Sequence, residues 1–228
     1  MRISQSINGA LRRVPTWLLY LAGIVPPVWL FYLAVTGGLG ADPVRTLELK
    51  IGKLGLQVLV ASLAITPLRK FTGISLIRFR RAISLIGFSY ILLHLTVWLV
   101  LDVQIPAQIL IDIAKRPYIT IGMAAFALMI PLAMTSNNWS MRRLGALKWR
   151  QLHKLTYLVL LLAGTHYALV GKVWRPEALL YLAGIVLLLA TRINGPRVRA
   201  RLGKALGRGT AGLSQPRAKR QRNAAPIR

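Results

Sequence analysis

The sequence contains no cysteine, which excludes disulfides, thiolate metal sites and iron–sulfur clusters. Acids are nearly as scarce: Asp42, Glu48, Asp102, Asp112 and Glu177 are the five in 228 residues. None stands in the middle of an apolar run, so the acidic relays that proton-coupled pumps place inside a membrane have no source here. Histidine occurs three times, at His94, His153 and His166. No internal repeat points to an inverted-repeat transporter. No nucleophile stands beside a base in a recognisable pattern, and no catalytic residue is assigned.

What the chain has in excess is apolar length and positive charge. Candidate spans run over Val14–Thr36, Leu47–Leu68, Ala82–Leu101, Tyr118–Thr135, Trp149–Val170 and Ala178–Thr191, each bounded by charges, glycine or proline. They predict an all-α integral membrane protein, a six-transmembrane-helix bundle over residues 14–193. A cytoplasmic segment, 1–13, is expected before it, and a basic, disordered cytoplasmic tail, 194–228, after it. The first run follows Arg2, Arg12 and Arg13 but is too long for a signal-peptide core, and reads as an uncleaved anchor. The sixth is the shortest, about 21 Å of helix against a hydrocarbon core of about 30 Å.

A net charge of +26 on a soluble protein would point to nucleic acid; its placement points to a membrane instead. With the N-terminus inside, three basic residues precede Val14, five lie in 69–81, five in 137–154 and eleven after Thr191, 24 of the 31 in all. That is a strong positive-inside bias, and all five acids fall on the opposite side. The expected partner of the charge is an anionic lipid bilayer.

An ionisable group at membrane depth is expensive and marks a functional site by default. The spans bearing His94 and His166 both run outward from the cytoplasmic face. His94 lies about 18 Å beyond Ala82 and His166 about 22 Å beyond Gln151, close to one depth. His153 is about 20 Å away, at the cytoplasmic edge, and about 140° round an ideal helix from His166. Two neutral imidazoles facing each other suit the axial positions of a haem iron, and filling both makes electron transfer the natural chemistry. Zinc would want further ligands, and none stands at that depth. A helix-packing role for these histidines, in a haem-free transporter or scaffold, is the competing expectation. The TSNN at Thr135–Asn138 reads as a helix terminus and turn.

Several stretches carry a resemblance: LAITPLRK at Leu63–Lys70, RFRRAISLIGFSYILLH at Arg78–His94, KRPYITIG at Lys115–Gly122, and LAMTSNNWSMRRLGALKWRQLHKLTY at Leu132–Tyr157, followed by GTHY around His166. Together they make the chain, over Val14 to Asn194, resemble the MsrQ (YedZ) family of haem-binding membrane subunits, within the ferric-reductase-like transmembrane superfamily. The resemblance implies a bacterial inner-membrane protein with both termini cytoplasmic. It would carry b-type haem and pass electrons from the quinone pool, or from a cytoplasmic flavin reductase, outward. The implied acceptor is a periplasmic molybdenum-cofactor methionine sulfoxide reductase, the other half of a heterodimer. A ferric or quinone oxidoreductase with another acceptor is the alternative within the superfamily.

The resemblance also implies His94, His153 and His166 as metal ligands, with His94 and His166 as the pair for one haem. Stepping back 13 residues from His94, the spacing of His153 and His166, reaches Arg81. An inner haem would then lack a second imidazole, leaving His153 for a second haem with another ligand type, or for a flavin or quinone. FMN is linked to the family, and Arg78, Arg80, Arg81, Arg142, Arg143 and Arg150 suit its phosphate; membrane orientation alone asks for the same residues. Trp139, Trp149 and Tyr157 suit stacking on such a ring, or an interfacial aromatic belt.

Overall fold

A computed structural model describes residues 2–171 and 175–192, apart from the side chains of residues 2 and 3. The basic tail expected over 194–228 lies outside the described residues. Among the described residues the regular structure is entirely helical: α1 Arg2–Arg13, α2 Trp17–Val35, α3 Pro43–Thr72, α4 Arg80–Val97, α5 Pro106–Lys115, α6 Pro117–Met134, α7 Asn138–Leu152, α8 Leu155–Leu169 and α9 Pro176–Ala190. These helices belong to one compact unit, Met1–Ala190.

The ends of the helices follow from local chemistry. Asp42 caps α3 by accepting from the Arg45 amide at 3.0 Å, with Pro43 at the first helical position. Gly73, at φ 75°, closes α3 in the left-handed conformation that glycine adopts without a Cβ penalty. Asn137 caps α7 through the Ser140 amide at 2.7 Å, and the hydroxyls of Thr135 and Ser136 turn back onto α6 carbonyls. The TSNN stretch is a terminus and turn.

Helix α2, α3, the stretch Ile77–Val103 and α6 are each long and apolar enough to cross a membrane. The apolar helices α8 and α9 have 15 residues each, about 22 Å. On α2, Val25 is 65% and Val35 88% exposed in a surface of Trp, Leu and Ile, a face that suits hydrocarbon rather than water. The chain is a multi-pass membrane protein.

The long apolar helices α2, α3, α4, α6, α8 and α9 alternate in direction, so the starts of α3, α6 and α9 and the ends of α4 and α8 share one end of the unit. All five acids sit there, and we call it the carboxylate end. Helix α3 packs most extensively on α4, and α6 on α8. Helices in lipid gain little by hiding apolar surface from one another, so depth of approach decides their association. A Cβ on Gly55 would stand 2.5 Å from Ile91 Cδ1, and one on Gly87 2.8 Å from Leu59 Cδ2, so α3 and α4 interlock at two levels. Ser62 and Ser84 share a 2.6 Å hydrogen bond across the same seam.

One expected span is divided. Trp149–Val170 is not a single helix: Trp149–Leu152 closes α7, His153 and Lys154 form a turn, and α8 begins at Leu155. Arg150 and Lys154 keep that first piece exposed, and charged heads resist entry into hydrocarbon. Helical phase from His153 to His166 therefore has no bearing on whether they share a face.

Candidate cofactor site

His94 and His166 each lie three residues before the end of their helix, α4 and α8, and both helices run toward the carboxylate end. The structure brings them together: their ring centres are 6.4 Å apart and the planes are inclined by 69°. His94 Nδ1 is 2.9 Å from the Glu48 carbonyl of α3, and His166 Nδ1 is 2.6 Å from the Tyr118 carbonyl of α6. A carbonyl only accepts, so each Nδ1 must carry the proton and each Nε2 the lone pair. Neither Nε2 has a hydrogen-bond partner among the described residues.

The helices that hold these rings are cut to receive them. In an α-helix the carbonyl of residue i bonds the amide of residue i+4, so the partners of the Glu48 and Tyr118 carbonyls are Gly52 and Gly122. The imidazole takes the carbonyl's second lone pair and so lies against residue i+4. A Cβ on Gly52 would stand 2.9 Å from His94 Nδ1, and one on Gly122 2.8 Å from both Nδ1 and Cε1 of His166. No side chain larger than hydrogen fits either position without moving a ring.

Between α3, α4, α6 and α8 the two rings face a cleft. Leu56, Ile91, Leu95, Met123, Phe126 and Met129 give it apolar walls. Two imidazoles on opposite faces of one metal at about 2 Å per nitrogen bond have ring centres about 6 Å apart. The 6.4 Å separation fits a bis-imidazole metal centre, and the apolar slot fits a flat macrocycle. Among the described residues no group of three His, Asp or Glu side chains gathers as a metal site, so the donor set suits a metal that brings its own equatorial ligands.

His153 is elsewhere, at the opposite end of α8. Its Nε2 is 3.1 Å from the Thr135 hydroxyl, and its ring stacks on Trp149 at 3.8 Å. Trp149 Nε1 donates to the Thr135 carbonyl at 2.9 Å, closing a three-residue tie between α6, α7 and the start of α8. The expected basic residues near this end each make a hydrogen bond as well. Arg78 donates to the Arg12 carbonyl at 2.5 Å, Arg81 to Asn138 at 2.7 Å, and Arg150 to the Ala146 carbonyl on its own helix at 3.1 Å. Arg81, expected opposite His153, is turned to Asn138; the cation that acts on His153 is Arg80.

Gly52, Gly122 and the carbonyls they leave open went unpredicted from the sequence. A usable signal existed: each glycine follows its carbonyl by four residues, in ELKIG and YITIG, on the helices that flank the histidines.

The family described as ferric reductase like transmembrane component matches residues 49–164, a stretch that includes His94 and His153 and stops two residues short of His166. The chain is 47% identical over 196 residues to the protein-methionine-sulfoxide reductase heme-binding subunit MsrQ of Brucella ovis. It is equally similar to the proteins of that name from Brucella canis and Brucella suis. Each alignment covers 86% of this chain and 89% of the relative. No solved structure is significantly similar to the chain.

Proposed function

Because the chain belongs to the family of MsrQ heme-binding subunits and carries the ferric reductase like transmembrane component, we propose that it holds a b-type haem between His94 and His166 and serves as an electron-transfer subunit. Two lone-pair nitrogens without partners among the described residues, on rings 6.4 Å apart, carry this reading. A haem bound there supplies reversible one-electron chemistry at its iron. The chain's own residues do the rest. The Glu48 and Tyr118 carbonyls fix both tautomers and raise the basicity of the ligating nitrogens, as second-shell acceptors of metal-bound imidazoles do. The apolar walls exclude water.

The acceptor in this reading is a periplasmic molybdenum-cofactor methionine sulfoxide reductase, to which sulfoxide reduction belongs. The donor is the quinone pool or a reduced flavin, and the protein sits in the bacterial inner membrane with both ends cytoplasmic. Charge supports that orientation: the carboxylate end holds the acids, and the other end carries Arg69, Lys70, Arg78, Arg80, Arg81 and the basic helix α7. Arg78, Arg81 and Arg150 keep most of their N–H donors free beside one hydrogen bond each and remain the candidates for an FMN phosphate, while the tie around His153 favours one haem over two.

A pyridine haemochrome spectrum of the purified full-length chain tests the cofactor. A b-type spectrum is expected, and its absence would leave the histidines as packing residues. Reduction of the chain followed by reoxidation on addition of a molybdenum-dependent sulfoxide reductase tests the relay; no reoxidation would point to another acceptor.

A further inference from the structure

At the mouth of the cleft two arginines stand on opposite walls. Arg45 lies one helical turn before Glu48, whose carbonyl holds His94, and Arg116 lies two residues before Tyr118, whose carbonyl holds His166. Both line the cleft, and their side chains are 37% and 51% exposed. Each is tethered by a carboxylate: Arg45 Nη1 to Glu48 Oε2 at 2.9 Å, and Arg116 Nε to Asp112 Oδ1 at 3.5 Å. Exposed pairs at i,i+3 and i,i+4 spacing on a helix surface contribute little, but these acids are not exposed. Glu48 and Asp112 are each only 6% exposed, and Gln108 also donates to Asp112 at 2.8 Å. Burying a carboxylate is costly unless it is paired and hydrogen-bonded, so each acid fixes its guanidinium at the mouth. A guanidinium has five N–H donors, and each tether occupies only part of that fork. Among the described residues a third cation lines the cleft, Lys53, and it is paired with Glu177 on α9.

We propose that Arg45 and Arg116 form a carboxylate-binding rim that receives the two propionates of the porphyrin, one from each wall, and so sets the macrocycle with its acidic edge toward the carboxylate end. The inference rests on the haem reading above. Its chemistry is specific: two carboxylates on one edge of a flat ligand meet two forks fixed at one mouth. The histidines alone hold the iron but do not decide which way round the ring enters. The rim does, and it also places the propionates beside the outer surface, where a soluble acceptor would dock.

The test uses the full-length chain purified in detergent from haem-limited cells, titrated with haemin and with haemin dimethyl ester, whose carboxylates are blocked. The wild-type protein should bind haemin at least about tenfold more tightly than the ester, the scale of one charge-assisted hydrogen bond. In the Arg45→Gln/Arg116→Gln double variant the two ligands should bind alike, with the low-spin spectrum kept in both complexes. Arg45→Gln/Glu48→Gln, which leaves no buried acid unpaired, should lose part of the preference, and Arg45→Lys/Arg116→Lys should retain part of it. Equal binding of haemin and ester by the wild type, a comparison that needs no substitution, would overturn the proposal, as would a preference undiminished in the double variant. If neither ligand gave a bis-histidine spectrum in the wild type, the haem reading itself would fail, a different and recognisable outcome.

Discussion

His94 and His166 face each other with ring centres 6.4 Å apart, and each gives its Nδ1 proton to a helix carbonyl one hydrogen-bonded turn before a glycine. The same device thus appears twice, Glu48 with Gly52 and Tyr118 with Gly122.

Gly52→Ala and Gly122→Ala should each displace an imidazole. Overpacking of this kind costs about 1–3 kcal/mol, so haem retention should fall by roughly five- to 150-fold, with a high-spin component in the visible spectrum. Gly184→Ala is the control, since a Cβ there meets nothing within 4 Å. Unchanged haem affinity and spin state in both site variants would show that the rings have room to move.

His153→Ala should leave the low-spin haem of the other pair in place. It should lower thermal stability by about 1–2 kcal/mol, the sum of a modest hydrogen bond and an aromatic stack. Haem stoichiometry per chain, read beside the melting curve, checks both halves. Loss of all haem from this one change would contradict the assignment of His153 to the tie with Thr135 and Trp149.

The absence of native cysteine makes the orientation directly measurable. Single cysteines at Ala41, at the carboxylate end, and at Ala146, on α7, both exposed, should differ in intact cells. A membrane-impermeant maleimide should label Ala41→Cys once the outer membrane is permeabilised, and Ala146→Cys only after lysis. The reverse pattern would invert the topology.

The long spans and the depth match of His94 with His166 were legible in the sequence, because both follow from counting along apolar runs at a fixed rise. The break at His153 was not, since Trp149 to Val170 reads as one apolar stretch until the exposed Arg150 and Lys154 are seen to hold its start outside. The glycine seats were hidden for another reason. Gly52 and Gly122 are two of 19 glycines, and only the rotational setting of α3 against α4, and of α6 against α8, shows which of them face an imidazole. The rim of Arg45 and Arg116 was masked likewise, because charge at a helix edge is what topology requires in any case.

The account stands most directly on the joint ligation by His94 and His166. Electron paramagnetic resonance of the oxidised, purified full-length chain should show a low-spin ferric signal of the bis-imidazole kind, and His94→Ala and His166→Ala should each abolish it. Retention of the full low-spin signal by either variant would contradict the account.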